Sequence, residues 1–312
     1  MGIAVQLGWA TGYVMLPAMA FYIDNFRHLL LACALPEIIW LIWMFWIPES
    51  PRWLLTHDRY DEAEAIIVQA VQMNNLDSSL VKEKFKFLKE NIDREREAVT
   101  SSDSGQTFFD LWKSKVMIIY CLIFYVSWFT NAFVYYGISL NIGDLGGDLF
   151  WNFFWAGLVE FPSYFFCMFA FKVIGRRPLL AAMMFGAGIG CLAIVPFYVV
   201  DNKSSSWILV FAMFGKFCIT SSFGIIYVYS AEVYPTVLRQ IGVGSCSVAG
   251  RVGSIMAPFV KELSLYTNFG VSMAIFGGLS LATGLVSIKL PETKDKDIPD
   301  TIQDVERLRL KR

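Results

Sequence analysis

Long apolar runs separated by short polar segments dominate the pattern of hydrophobic and polar positions along this chain. A window of about 19 residues finds runs long enough to cross a hydrocarbon core of about 30 Å. Eight such runs lie at 1–22, 29–47, 116–138, 150–171, 178–199, 207–229, 241–260 and 268–288. The pattern therefore predicts an all-α integral membrane protein with eight transmembrane helices.

One polar segment, 48–115, is long enough to hold structure of its own. In "RYDEAEAIIVQAVQMNN" apolar residues recur at helical spacing, and "SSLVKEKFKFLKENIDREREAV" repeats that pattern under a dense charge shell. Both stretches predict short amphipathic helices. The chain then divides into two helices at 1–47, this loop at 48–115, a six-helix bundle at 116–289 and a tail at 290–312.

Composition excludes several classes of function. The chain is 56% hydrophobic and 17% charged, with a formal net charge of -1, so no basic surface favours nucleic acid. Two histidines and no Cys/His cluster predict neither a metal site nor another cofactor. All six cysteines fall in apolar runs, which is typical of packing residues rather than disulfides. No HExxH or glycine-rich phosphate loop is present, so we expect no enzyme.

The positions of lysine and arginine predict how the chain is oriented. One set of connections is rich in them and the other poor, so the positive-inside rule places the rich set in the cytoplasm. The rich set contains Arg52, Lys113, Lys115, Lys172, Arg176, Arg177, Arg239 and Lys294; the poor set contains Arg27, Lys203 and Lys261. Met1 starts directly on an apolar run, so we expect no signal peptide and a segment missing upstream. The absence of a retention signal at "RLRLKR" makes the plasma membrane the expected location.

Four ionisable residues lie well inside the predicted spans: Glu37, Glu160, Lys216 and Arg251. Counted from the outer ends at about 1.5 Å per residue, the last three reach one depth near the midplane. They predict either a structural ion pair, joining Glu160 to Lys216 or Arg251, or a solvated cavity for a charged substrate. For Arg251 the cavity is favoured, because small and polar residues share its helical stripe: Gly244, Ser247, Ser254 and Pro258. Such a stripe is also typical of close helix packing.

Aromatic side chains share helix faces with these charges. The faces hold Trp128 and Tyr135; Glu160 and Tyr164; and Lys216, Phe223 and Tyr227. A ring face attracts an ammonium group by about 0.5 to 2 kcal/mol, depending on desolvation. Each face alone is typical of ordinary packing, but their coincidence with charges at one depth favours a site for a small organic ion.

The loop sequences resemble those of a known family. The stretches are "PESPRWLL" (48–55), "GRRPL" (175–179), "YSAEVYPTVLRQIGVG" (229–244) and "LPETKDKDIPDTIQD" (290–304). Together they resemble the organic cation, carnitine and organic anion transporters of the major facilitator superfamily. The resemblance implies that the eight spans are family helices five to twelve. It also implies that four preceding helices and a large extracellular loop are absent, through a partial sequence or a truncated product.

The resemblance also implies roles for individual residues. Trp128 and Tyr135 match the family's cation-binding aromatics, and Glu160 matches its eighth-helix acid. Tyr164 stands where anion transporters tend to have lysine and carnitine-type members have tyrosine. Arg251 stands where cation-selective members carry aspartate and anion or carnitine members carry arginine. Further cavity positions implied on the fifth and tenth helices are Gln6, Phe223 and Tyr227.

Charged residues of the loop motifs predict a cytoplasmic gate: Glu49, Arg52, Arg176, Glu232 and Arg239. Exposed pairs contribute only about 0 to 1 kcal/mol each, which suits a gate that opens and closes. One departure affects this network, because Lys172 stands where the family pattern has an aspartate.

The combined prediction is a secondary active or facilitative transporter of small organic ions that works by alternating access. A carnitine-like or betaine-like zwitterion fits best, with its carboxylate on Arg251 and its ammonium facing Trp128 and Tyr135, while Glu160 and Lys216 adjust the local charge. The expected partners are this small ion and the lipid bilayer, with no nucleic acid. Two alternatives stay open: an organic anion transporter of the same fold, and a truncated membrane protein that does not transport.

Overall fold

The structure is a computed structural model that describes residues 6–56, 59–74, 85, 107–145, 148–200, 206–236, 238–296, 298–299 and 302–310. Within these residues all regular structure is helical, and six helices are long and apolar enough to cross a membrane. Helices are the expected solution, because a span in lipid must pair its backbone groups internally. The predicted class of an all-α membrane protein is therefore confirmed.

The chain divides into two compact units, Met1–Asp24 with Gln106–Arg312 and Asn25–Gly105. The first unit begins with α1 (Gln6–Tyr22). It continues with α6 (Lys115–Asn141), α7 (Leu149–Leu158), α8 (Glu160–Val173), α9 (Arg176–Val199), α10 (Ser206–Val233), α11 (Arg239–Tyr266), α12 (Phe269–Ser287) and α13 (Ile302–Leu310). Short 3-10 helices lie at Phe108–Trp112 and Ile142–Leu145.

The second unit contains α2 (Phe26–Ala34), α3 (Glu37–Trp43), α4 (Pro51–Thr56) and α5 (Tyr60–Met73). Helix α5 lies in the stretch predicted to form the first amphipathic helix, and its Ala63 packs in a small cluster with Leu54 and Phe85. The second predicted amphipathic helix, at 79–100, lies outside the described residues apart from Phe85.

The predicted span at 29–47 is not one continuous helix. Helix α2 ends at Ala34 and α3 begins at Glu37, with Pro36 between them. Proline has no backbone N–H, and its ring clashes with the carbonyl of the preceding turn, so the ladder stops there. The helix predicted at 29–47 is therefore interrupted at Pro36, and Glu37 lies in the exposed first turn of α3.

The first unit is held together by long helix pairs. The most extensive contacts join α6 to α11, α9 to α12, and α9 to α10. Glycines permit the close approach: a Cβ added at Gly253 of α11 would collide with the Phe129 carbonyl of α6, and one at Gly190 of α9 with the Gly215 backbone of α10. Without a hydrophobic driving force between helices in lipid, this close packing is a main source of stability.

The span Leu149–Val173 bends where α7 ends and α8 begins, at Val159. Pro162 follows in the first turn of α8, and it cannot donate the backbone hydrogen bond that a continuous helix would direct to the Leu158 carbonyl. This interruption lies next to Glu160, the first residue of α8.

The segment that leads into α6, predicted to be cytoplasmic, is held in a defined turn by local hydrogen bonds and an ion pair. Thr107 and Asp110 form a capping box, with the Thr107 N–H donating to Asp110 at 2.6 Å. The Lys113 ammonium lies 2.5 Å from the same carboxylate. Hydrogen bonds from Lys113 and Thr107 hold the pKa of Asp110 below its usual range.

Candidate functional site

A cavity of about 230 Å³ lies within the first unit, between α1 and the helices that follow residue 115. More than half of the residues that line it are aromatic. The lining consists of Gln6, Trp9, Trp128, Ala132, Tyr135, Tyr136, Tyr164, Phe223, Tyr227, Ser247, Gly250, Arg251 and Ser254. Concave sites with an apolar wall and a few polar groups are the usual form of small-molecule sites.

The aromatic wall is built by α6 and α10. The Trp128 ring lies 4.3 Å from the Tyr227 ring and 6.2 Å from the Phe223 ring, measured between centroids. Phe223 in turn lies 5.8 Å from Tyr135. These residues are close because their helical faces meet where α6 and α10 pack. The buried Trp128 Nε1 has no hydrogen-bond partner among the described residues.

Arg251 supplies the charge in the cavity. It lies on α11 with small neighbours on the same face, Ser247, Gly250 and Ser254. A Cβ added at Gly250 would meet the Trp128 ring at ordinary van der Waals distance, so α11 lies close to the aromatic wall. Arg251 is exposed, and no hydrogen bond or ion pair joins its guanidinium to another described residue. The geometry therefore leaves a cation free to meet an anionic group.

Glu160 and Lys216 form an ion pair behind this wall. The Lys216 Nζ lies 3.2 Å from the Glu160 Oε1, and both side chains are 0% exposed. The same ammonium donates to the Ser139 hydroxyl at 2.6 Å and lies 3.5 Å from the centroid of the Tyr135 ring. Neither Glu160 nor Lys216 lines the cavity. The two opposite charges cancel in a place that water does not reach.

Tyr135 connects the buried pair to the cavity. Its hydroxyl donates to the Glu160 Oε1 at 2.6 Å and accepts a hydrogen bond from the Trp9 Nε1 at 2.8 Å. Its ring lies in the cavity wall, and Lys216 lies against that ring. Tyr135 is thus the one lining residue that contacts both members of the ion pair among the described contacts.

The structure brings most of the predicted binding residues together. Those that line the cavity are Gln6, Trp128, Tyr135, Tyr164, Phe223, Tyr227 and Arg251. Trp9 and Tyr136 were missed. Trp9 lies one helical turn beyond Gln6, a spacing that could have revealed it. Tyr136 had no such signal, because it lies on a different helical face from Tyr135. Within the described residues no three His, Cys, Asp or Glu side chains converge on a metal position.

The residues predicted as a gate are placed in two groups. Arg176 and Glu232 pair in the first unit, with the Arg176 Nε 3.0 Å from the carboxylate, and the Thr293 hydroxyl donates to Glu232 at 2.6 Å. Arg239 donates to the Thr236 hydroxyl at 3.2 Å. Two further predicted members, Glu49 and Arg52, belong to the second unit, and the Arg52 side chain lies outside what the structure describes.

Glu292 supplies a carboxylate to this cluster although Lys172 replaces the expected aspartate. Glu292 accepts hydrogen bonds from the backbone N–H groups of Arg176 at 2.8 Å and Arg177 at 3.3 Å. It therefore caps α9, whose first N–H groups have no partner within the helix. Lys172 is exposed, and the nearby Lys294 donates to the Val173 carbonyl at 2.8 Å.

Comparisons with known proteins agree with this architecture. The family described as "Sugar (and other) transporter" matches residues 1–302. An organic cation transporter protein of Drosophila melanogaster is 38% identical over 307 residues, which are 98% of this chain and 55% of that protein. Organic cation/carnitine transporter 2 of Homo sapiens is 32% identical over 309 residues, covering 98% and 53%. The chain spans about half the length of the curated relatives it matches.

Solved structures show the same fold. The xylose transporter XylE from E. coli, in a partially occluded inward open conformation, superimposes with a TM-score of 0.69 at 19% identity, covering 95% of this chain and 63% of that one. XylE bound to 6-bromo-6-deoxy-D-glucose gives a TM-score of 0.68. The chain belongs to the family described as "Sugar (and other) transporter", and it is similar in sequence to proteins named as organic cation and carnitine transporters.

Proposed function

We propose that this protein carries small organic ions across the plasma membrane by alternating access, and that its preferred substrates are zwitterions with a carboxylate and a quaternary ammonium group. The observation that carries the proposal is the aromatic cavity with one free arginine. Its relatives named as organic cation and carnitine transporters support the same chemistry.

The charges around the cavity favour a substrate with an anionic group. Among the described lining residues Arg251 alone is charged at neutral pH, because Glu160 and Lys216 lie behind the wall and neutralise each other. A guanidinium forms two parallel hydrogen bonds with a carboxylate, which makes arginine well suited to this group.

The aromatic wall supports a cationic group on the same substrate. Trp128, Tyr227 and Phe223 present ring faces and edges within one wall, and an ammonium is attracted to a ring face. A molecule with both charges would satisfy the arginine and the rings together. An organic anion with an aryl group is the second candidate, because the net positive charge of the lining also favours it and the same rings could stack on the aryl group.

The test is uptake by cells that express the full reading frame containing this chain. We expect Arg251→Ala to reduce uptake of a carnitine-like zwitterion at least about tenfold, because one charge-assisted pair is lost. Uptake of a tetraalkylammonium ion, which has no carboxylate, should fall much less or rise. Arg251→Lys is the matched control, since it keeps the charge and loses the paired geometry.

The outcomes separate the candidates. Unchanged zwitterion uptake by correctly folded Arg251→Ala would refute the role of the arginine. If the parent protein takes up an aryl anion but no zwitterion, and Arg251→Ala loses that uptake, the anion transporter is favoured. Surface biotinylation of the same cells tests the proposed plasma membrane location.

A further inference from the structure

We infer that Lys216 is a specificity-determining residue that masks the charge of Glu160 and so fixes the sign of the ions this cavity accepts. The inference rests on the proposed function of ion transport. Lys216 acts through Glu160 and Tyr135 rather than by touching the substrate, so it is a positioning residue in this sense.

The first step is the geometry of the masked charge. Glu160 is fully buried, and its Oε1 receives both the Lys216 ammonium at 3.2 Å and the Tyr135 hydroxyl at 2.6 Å. Its Oε2 makes no hydrogen bond with a described residue. The carboxylate therefore depends on Lys216 for charge compensation, because it has no other cation among the described residues within salt-bridge distance.

The second step is the distance to the cavity. One aromatic side chain, Tyr135, separates the ion pair from the space where an ion would bind. The field of an uncompensated charge would cross that ring, since the region is buried and poorly screened. At an effective dielectric constant of about 20, a unit charge at this range changes the affinity of a bound ion by at least about tenfold.

The third step is the sign. With Lys216 present the pair is neutral, and Arg251 leaves the cavity positive. Without the Lys216 charge, a bound cation would help to keep the buried Glu160 carboxylate ionised, so cations would be favoured. Without the Glu160 charge, a bound anion would help to keep the buried Lys216 ammonium ionised, so anions would be favoured. A purely structural ion pair makes a different prediction, because loss of either partner would then weaken all ligands alike.

The experiment compares Lys216→Met, Glu160→Gln and the double variant with the parent protein. The substituted side chains have similar lengths and lack the charge. Removing one partner of a buried pair destabilises proteins strongly, whereas removing both is often neutral, so the double variant is the matched control for folding. Each purified full-length protein is heated at increasing concentrations of tetraethylammonium or of an aryl carboxylate. The readout is the concentration of each ion that stabilises the protein against unfolding.

We expect Lys216→Met to bind tetraethylammonium at least about tenfold more tightly relative to the aryl carboxylate. Glu160→Gln should shift the same ratio at least about tenfold in the opposite direction. A tenfold change corresponds to about 1.4 kcal/mol. The double variant should return the ratio to within about threefold of the parent value.

Each outcome either supports or refutes the role of Lys216 in ion selectivity. If both single variants bind the two ions with an unchanged ratio, or shift it in the same direction, Lys216 has only a structural role and the inference is wrong. If Lys216→Met does not fold, the shift in Glu160→Gln decides alone. If no organic ion stabilises the parent protein against heat, the proposed function fails as well. The inference alone fails if ions stabilise the parent protein but the substitutions do not shift the ratio as expected.

Discussion

Replacing Tyr135 by phenylalanine tests the connection between α1, the cavity and the buried ion pair. The substitution keeps the ring that lines the cavity and removes the hydroxyl. It thereby removes the hydrogen bond to Glu160 at 2.6 Å and the one from Trp9 at 2.8 Å. A hydrogen bond to a charged group contributes about 1.5 to 3 kcal/mol and one between neutral groups about 0.5 to 1.5. The expected loss is therefore about 2 to 4.5 kcal/mol.

The assay is reversible unfolding of the purified protein in detergent micelles, followed by circular dichroism. Tyr136→Phe is the matched control, because the adjacent tyrosine also lines the cavity but none of the described contacts includes a hydrogen bond of its hydroxyl. Tyr136→Phe should change stability by less than about 0.5 kcal/mol. Equal effects of the two substitutions would refute the reasoning, since both remove one hydroxyl.

A double-mutant cycle then isolates the contact with α1. Trp9→Phe removes the indole donor together with part of a ring that is half exposed, so it should cost at least about 1 kcal/mol in the parent protein. In the Tyr135→Phe background it should cost much less, because its partner is already absent. Full additivity of the two substitutions would show that Trp9 and Tyr135 do not interact.

Three further predictions concern packing, capping and thiol exposure. In the same unfolding assay, Gly157→Ala should destabilise the protein by about 1 to 3 kcal/mol, because the added Cβ would clash with α1. The control is Gly278→Ala, whose added Cβ meets no atom within 4 Å and should stabilise the protein slightly. Glu292→Ala should lower stability by about 1 to 2 kcal/mol through loss of the α9 cap, whereas Glu262→Ala, at an exposed residue with no hydrogen bond among the described contacts, should change it little. A membrane-permeant maleimide should label Cys33 before any other cysteine, as mass spectrometry can show, because the other five thiols are buried; early labelling elsewhere would contradict the packing.

Hydropathy predicted the six spans after residue 115 because length and apolarity alone determine them. The same average of hydropathy did not reveal the interruption at 29–47, since a window of about 19 residues hides the effect of a single proline. Pro36 changes the mean hydropathy little but removes a backbone donor, and the helix divides there. A reading that weighted Pro36 as a helix breaker could have found the division.

For the candidate site, the sequence predicted which residues take part better than it predicted which of them form contacts. Family positions identified Trp128 and Arg251, and both line the cavity. Counting residues along the spans placed Glu160 level with Lys216, which agrees with their ion pair. It could not choose between Lys216 and Arg251 as the partner, because that depends on how each helix is rotated and on the bend at Val159. Depth follows from sequence position, whereas rotation follows from packing against neighbours.

The bend at Val159 also changes how substitutions along one transmembrane segment should be interpreted. The N-terminal half, α7, makes most of its contacts with α1, and the C-terminal half, α8, makes most of its contacts with α10. A scan of single substitutions along 149–173 therefore moves from an interface dominated by one neighbour to an interface dominated by another. Gly157 reports on one of them and Tyr164 on the other, although only two helical turns separate them.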